Sequence, residues 1–485
     1  MPGFFVENFG CRATQADGAA LERQFEERGF ARVSTPAYAS IVVLNTCTVT
    51  AGADQDARAA IRRVRRQNPD ARIIVTGCYA QRAPEEIAAL PGVSLVVGNS
   101  HKHQLAEIAL RNSVSAPGTD SGFVSLSQLE NRELRTANSI FVSDIFAHTE
   151  LLAAPVFDAA NERTRPNLKI QDGCDNRCSF CVIPFVRGQS RSMPPERIIS
   201  EVNILVNAGY REVVISGINL GRWGRDLSGV TKNDAGATEN HVGAAAPGCP
   251  GERSSPASLE GLINRILRET SLEKLRISSV EPMDWTDDLI ALVASSPRIA
   301  KHAHVPMQSG SDAVLRRMHR KYRPWHYRDK IAKIRSAMPD AAIGADVMVG
   351  FPGETECEFG ETRQMIEDLP FTYLHVFTYS PRPGTPAAET QNQIPVHVAR
   401  ERNRILRELA AEKKLAFMRS FIGKSLEAIT LNVAGNDADG EFTEALTDNY
   451  LKLRLRGLHE PNRWRLAVAQ QVVSGSLTGS PYTAQ

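Results

Sequence analysis

Three cysteines stand within eight residues in the stretch Gly173-Cys174-Asp175-Asn176-Arg177-Cys178-Ser179-Phe180-Cys181, spaced C-x3-C-x2-C directly after the apolar run 168–170. Thiols so close in sequence hold a metal or pair in a disulfide. A structural zinc site takes four tetrahedral protein ligands, and no fourth Cys or His stands alongside this triplet. An iron–sulfur cluster held by three cysteines has the same consequence, one iron free for a ligand that is not protein. The fold must therefore close around this stretch with a coordination position left open.

The chain has 485 residues, more than one hydrophobic core usually supports, so several domains are expected. Its formal net charge of +2 excludes a global attraction to nucleic acid, and any such surface must be a local patch. The first residues lack a charged segment followed by an apolar one, and no uninterrupted apolar stretch approaches the length of a membrane span. The expectation is a soluble, cytoplasmic protein with no membrane partner. In a reducing compartment its eight cysteines read as metal ligands sooner than as disulfides.

Residues 1–112 alternate apolar runs at 4–6, 41–44, 73–75 and 95–97 with helix-length stretches at 17–28, 51–66 and 84–90. This rhythm predicts a small parallel sheet with crossover helices. Three of the strands are followed by cysteines, Cys11, Cys47 and Cys78. Strands of a parallel sheet end at one edge, where such folds bind ligands. One Cys there would read as a small buried residue; three at equivalent strand ends favour a second metal centre.

Residues 113–165 lack periodicity and read as a linker with a short strand near 140–142. A regular β/α alternation fills 166–397, with strand-like runs at 168–170, 212–216, 274–278, 302–307, 343–349 and 374–379. Six such units predict a partial (β/α)6 barrel, whose chemistry gathers at the C-terminal strand ends. Those ends carry Ser216-Gly217-Ile218-Asn219, Ser279-Val280-Glu281-Pro282, Pro306-Met307-Gln308-Ser309 and Gly350-Phe351-Pro352-Gly353-Glu354. Gly217, Asn219, Glu281, Gln308 and Ser309 are thus candidate cofactor contacts. Phe180 reads either as a ring packed on a cofactor or as core. A Gly/Ala/Ser/Pro-rich insertion at 227–258 interrupts the barrel; Cys249 within it and the isolated Cys357 are not read as ligands.

A helix at 398–420 leads to 421–485, where short alternating strands predict a small β-barrel of a kind that binds oligonucleotides. Lys452, Arg454 and Arg456 alternate onto one face of a strand there. Two further basic stretches are Arg58, Arg62, Arg63, Arg65 and Arg66, and nine Lys or Arg between 316 and 335 interleaved with Tyr322, Trp325 and Tyr327. Such runs are either solvated faces or phosphate surfaces. Arg187 and Arg191 stay open between substrate contacts and loop salt bridges.

The triplet followed by Val182-Ile183-Pro184 and Arg187-Gly188-Gln189-Ser190-Arg191-Ser192 resembles the radical S-adenosylmethionine methylthiotransferases. Cys11, Cys47 and Cys78, the stretch 306–312, the turn 350–354 and the terminal β-barrel match that family too, the last resembling its TRAM module. Within the family, 216–227 is most similar to the branch acting on threonylcarbamoyladenosine beside the tRNA anticodon. Other branches act on isopentenyladenosine in tRNA or on an aspartate of a small-subunit ribosomal protein, and a non-catalytic RNA-binding metalloprotein is the reading from a different class. Thr14 stands where the family carries asparagine. The resemblance implies two [4Fe–4S] clusters: one on Cys174, Cys178 and Cys181, which chelates and reductively cleaves S-adenosylmethionine, and one on Cys11, Cys47 and Cys78, which carries the sulfur. It also implies a tRNA substrate, a second S-adenosylmethionine as methyl donor, and an electron donor such as flavodoxin or ferredoxin. Radical chemistry of this kind belongs to the cofactors, which the protein positions.

Overall fold

The computed structural model describes residues 2–111, 139–148, 151–152, 165–227, 257–437 and 440–482. Residues 228–256 of the insertion expected at 227–258, with Cys249, and most of the linker lie outside the described residues. Strands β1 (Gly3–Asn8), β2 (Ala31–Arg32), β3 (Ile41–Thr46), β4 (Arg72–Gly77), β5 (Val93–Gly98) and β6 (Ser139–Phe141) form one parallel sheet in the order β2-β1-β3-β4-β5-β6. Ile-Val-Val-Leu in β3 is buried throughout, as befits a strand covered on both faces. Helix α1 (Arg12–Glu26) covers one face with Leu21 and Phe25, and α2 (Ala51–Gln67) the other with Ala57, Ile61 and Val64. The strand expected inside the linker is β6, which pairs with β5 and so belongs to this sheet.

The central region holds β7 (Asn167–Asp172), β8 (Arg191–Ser192), β9 (Glu212–Gly217) and β10 (Lys274–Ile277) in the order β10-β9-β7-β8. It continues with β11 (His302–His304), β12 (Ala342–Val349) and β13 (Tyr373–Thr378) in sequence order. A parallel bridge from Leu275 to Ile299 joins the two sheets. The six parallel strands are those read from the alternation; β8 is a two-residue antiparallel addition.

Along these strands apolar and polar residues alternate. Leu168, Ile170, Val213, Ile215, Leu275, Ala303, Ile343, Ala345 and Val347 join one large core under the outer helices. Their neighbours Lys169, Gln171, Glu212, Ser216, Arg276, His302 and His304 are polar and buried. Successive side chains of a strand point to opposite faces, so this second set faces the inside of the partial barrel. A barrel interior normally packs with branched apolar residues. Here it is polar, and each buried charge needs a partner.

Some partners come from α1, which packs along β7 and β9 at the open side of the barrel. Asp17 of α1 accepts from Lys102 Nζ at 3.0 Å, from Arg187 at 3.0 Å and from Lys169. Asp172 takes the same Lys169 at 2.8 Å and Arg187 at 2.9 Å. Burial alone would raise the Asp17 carboxyl, but Lys102, Lys169 and Arg187 outweigh it and hold it down at about 2.

Helix Val396–Arg419 leads to a closed barrel of β14 (Ser425–Asp437), β15 (Gly440–Thr447), β16 (Lys452–Arg456), β17 (Trp464–Val473) and β18 (Ser476–Pro481), ordered β14-β15-β16-β18-β17. It docks under the N-terminal ends of the central strands. Asn462 donates to Gly209 O at 2.7 Å, Asn449 to Asp340 O at 3.0 Å, and Lys274 pairs with Glu427 at 2.8 Å. Tyr450 closes the floor of the central barrel, its ring 4.6 Å from His302 and 5.6 Å from Tyr373. Among the described residues no helix is long and apolar enough to cross a membrane.

Candidate metal centres and the cavity between them

Cys11 caps α1, Cys47 follows β3 and Cys78 follows β4, so the parallel sheet delivers all three thiols to one edge. Gly10 makes their approach possible: at φ +100° and with a Cβ that would meet Cys47 Sγ at 2.8 Å, its place admits no side chain. Thr14 Oγ1 lies 3.6 Å from Cys11 Sγ. Asn99 donates to Cys78 Sγ at 3.5 Å and to Val186 O at 2.7 Å, fastening this edge to the loop behind Cys181. Burial pushes the Cys47 thiol up to about 12, with Cys78 and Cys11 adding to it.

The second triplet hangs from the end of β7. Cys174 N donates to Gly188 O at 3.0 Å, and a Cβ on Gly173, at φ +71°, would sit 1.9 Å from Gln189 O. Asn219 donates to Cys174 Sγ at 3.7 Å and Arg320 to Cys178 Sγ at 3.4 Å. Arg320 also pairs with Glu281. Burial pushes the Cys181 thiol up to about 12 and raises that of Cys174. Such thiolates depend on a cation bound among them.

A zinc ion with Zn–S bonds of about 2.3 Å draws its tetrahedral sulfurs to within roughly 3.8 Å of one another. Among the described residues neither triplet brings its sulfurs mutually within 4.8 Å. The wider spacing and the N–H donors aimed at sulfur suit a cluster of several irons.

Beside Cys11 lies a cavity of about 350 Å³, lined also by Arg12, Asn219, Glu281, Gln308 and Asp346 among others. Gly217 lines it as well. Phe180 does not; with Cys181 and Gln308 it borders a separate hollow of about 130 Å³ and meets Phe351 edge-on at 6.3 Å. Ser309 lines neither, being 1% exposed with its Oγ 3.0 Å from Thr362 Oγ1 and accepting from Ser311 N at 3.1 Å. Ser216 Oγ, Asn219 Oδ1 and Gln308 Oε1 are buried without a hydrogen-bond partner among the described residues. Each such atom costs about 1–3 kcal/mol unless a ligand satisfies it.

The wall of the cavity at Asp346 carries a further polar group. Ser279 Oγ lies 2.6 Å from His304 Nδ1, while His304 Nε2 and His375 Nδ1 stand 3.4 and 3.2 Å from Asp346 Oδ1. Burial would raise the Asp346 carboxyl; hydrogen bonds to these two histidines hold it well below its ordinary range. The signal for this wall was present in the polar alternation of β11, β12 and β13, because a parallel strand buried on both faces is otherwise apolar.

Arg187 is a salt-bridge residue, enclosed with Asp17 and Asp172. Arg191 donates to the carbonyls of His148 and Gln189 at 3.4 and 3.2 Å. The basic stretch 316–335 is largely neutralised: Arg316 and Arg323 pair with Asp312, Arg317 with Glu358, Arg328 with Asp368, and Lys330 and Lys333 with Asp287. Tyr322 and Tyr327 are core residues. Most of that stretch is committed to intramolecular ion pairs.

A family model described as uncharacterized protein family UPF0004 matches residues 3–98, and one described as the radical SAM superfamily matches 168–366. The threonylcarbamoyladenosine tRNA methylthiotransferase MtaB of Bacillus subtilis is 35% identical over 451 residues, which cover 93% of this chain and 90% of the relative. Its counterpart in Aquifex aeolicus is 34% identical, with 94% and 97% covered. Among solved structures, the radical S-adenosylmethionine methyltransferase TsrM from Kitasatospora setae shares the fold at a TM-score of 0.52 and 15% identity, covering 80% of this chain and 74% of its own.

Proposed function

Because this chain belongs to the tRNA methylthiotransferases of the radical S-adenosylmethionine superfamily, we propose that it adds a methylthio group to C2 of N6-threonylcarbamoyladenosine beside the anticodon of tRNA. One observation carries the reading. Cys11 of the first thiol set, and Asn219, which donates to Cys174 of the second, line the same cavity.

Cys174, Cys178 and Cys181 would hold one [4Fe–4S] cluster and Cys11, Cys47 and Cys78 the other. When bound, these groups supply the reductive cleavage of S-adenosylmethionine and the sulfur that is methylated and inserted. The protein's own part is placement. Arg320 holds a positive charge against Cys178 and anchors Glu281 at the cavity wall. Gly217, Asn219, Glu281 and Gln308 are the contacts offered to S-adenosylmethionine. Phe180 and Ser309 support the rim from behind, Phe180 by packing on Phe351 and Ser309 by its bond to Thr362. A flavodoxin or ferredoxin in the cytoplasm supplies the electrons, and Lys452 and Arg465, both exposed on the terminal barrel, meet the tRNA backbone.

The two thiol sets have separable duties, which gives the test. With reconstituted enzyme, Cys178→Ala should abolish S-adenosylmethionine cleavage. Cys47→Ala should leave cleavage measurable while nucleoside mass spectrometry finds no methylthiolated product. Identical behaviour of the two variants would refute the division.

A further inference from the structure

Arg12 follows Cys11 directly and is the one cation among the described residues that line the cavity. Its backbone carbonyl accepts from Asn167 Nδ2 at 3.3 Å, which seats it against the start of β7. Its charge is felt inside the barrel: after burial, Arg276 and His304, it helps hold His302 well below its ordinary range. The neighbouring cations Arg165, Lys169, Arg276 and Arg320 each pair with a carboxylate. Arg12 has no ion pair or side-chain hydrogen bond among the described residues, and it is not for want of acids. The two carboxylates on the cavity wall are already committed, Glu281 to Arg320 and Asp346 to His304 and His375. Arg12 is exposed, so the cavity presents a solvated guanidinium free to receive an anionic ligand.

The chemistry of the proposed substrate supplies one. A threonylcarbamoyl group hangs from N6 and ends in a free carboxylate, and C6 is separated from the reacting C2 by N1 alone. Carboxylate and C2 therefore lie along the same edge of the base, just as Arg12 and the thiol of Cys11 are neighbours in the chain. An isopentenyl group at N6 carries no charge to offer. Resting on the function proposed above, we infer that Arg12 is the subsite for the threonyl carboxylate, and that it makes the enzyme select a carboxylate-bearing N6 substituent. A guanidinium receives a carboxylate through two parallel N–H bonds, a geometry lysine cannot reproduce.

The test uses the reconstituted full-length enzyme and two synthetic anticodon stem–loops, one bearing N6-threonylcarbamoyladenosine and one its methyl ester. The readout is the ratio of kcat/KM for acid over ester, from which any general loss of cluster content cancels. The wild type should favour the acid by about 10–100-fold, the range of a charge-assisted pair. Arg12→Gln should bring the ratio close to one, chiefly through the KM of the acid, and Arg12→Lys should recover part of it. An Arg12→Gln ratio equal to that of the wild type overturns the inference while leaving the proposed function standing. So does a ratio that is kept while the KM for S-adenosylmethionine rises, which would assign the guanidinium to the cofactor carboxylate. Wild-type enzyme with no turnover of the acid stem–loop overturns both readings together.

Discussion

Asp17 joins the two thiol sets mechanically, and replacing it by asparagine tests how much that joint carries. Its carboxylate is 2% exposed and binds Lys102, Lys169 and Arg187, which lie in three segments of the chain. Holding the carboxyl at about 2 instead of 3.8, at about 1.4 kcal/mol per pH decade, corresponds to about 2.5 kcal/mol of native stability. The folded value is the lower one, so this term is fully present above about pH 4 and is lost as the pH falls through about 2. Asp17→Asn removes the term and also leaves Lys169 and Arg187 with Asp172 as their one carboxylate, and Lys102 with only the Asn45 Oδ1. Breaking a buried ion network from one side costs about 3–5 kcal/mol, more than protonation alone. Hydrogen exchange at neutral pH reads the effect locally, which suits a chain of several domains. Amides of α1 and β7 should exchange about 100-fold faster or more in the variant, the equivalent of roughly 3 kcal/mol. The pH dependence of their protection between 4 and 2 should flatten. Exchange of α1 and β7 within about twofold of the wild type would refute the claim that the network fastens the domains.

Two further outcomes follow from single side chains. Arg320→Gln removes a positive charge 3.4 Å from Cys178 Sγ, so the reduction potential of the cluster on Cys174, Cys178 and Cys181 should fall; spectroelectrochemistry showing no fall would discount the interaction. Lys452→Glu with Arg465→Glu should weaken tRNA binding and reduce the slope of log affinity against log salt by about 0.7–0.9 for each phosphate no longer neutralised, and an unchanged slope in filter binding would move the RNA surface elsewhere.

The six parallel strands of the centre and the three cysteine-tipped strands of the N-terminal sheet were legible because each is a local signal: an apolar run, a polar end, a helix-length gap. The closed terminal barrel was only partly legible. β18 reads Ser-Leu-Thr-Gly-Ser-Pro, with no β-branched or aromatic run, and owes its conformation to pairing with β16 and β17. The site divides in the same way. All six cysteines proposed as cluster ligands stand out in the sequence, whereas Asp17 and Lys169 are ordinary helix and strand residues until the fold brings positions 152 apart into contact. Ser309 shows the opposite failure, since a residue at a strand end can turn into the core. The nine basic residues of 316–335 looked like a surface because their partners, Asp287, Asp312, Glu358 and Asp368, lie mostly on other elements.

Tyr450 changes what a truncation experiment on this protein can mean. The terminal barrel places this ring against His302 and Tyr373 and lends the carbonyls of Thr447 and Asp448 to Arg276. Cutting the chain before β14 would thus unroof the inner chamber from below as well as strip away the strands that carry Lys452 and Arg465. Water would reach Arg276 and Glu212, and the histidine wall would lose its backing. Lost activity in such a deletion would report on two things at once, and substitutions on the outer face are the cleaner instrument for asking what the module does with RNA.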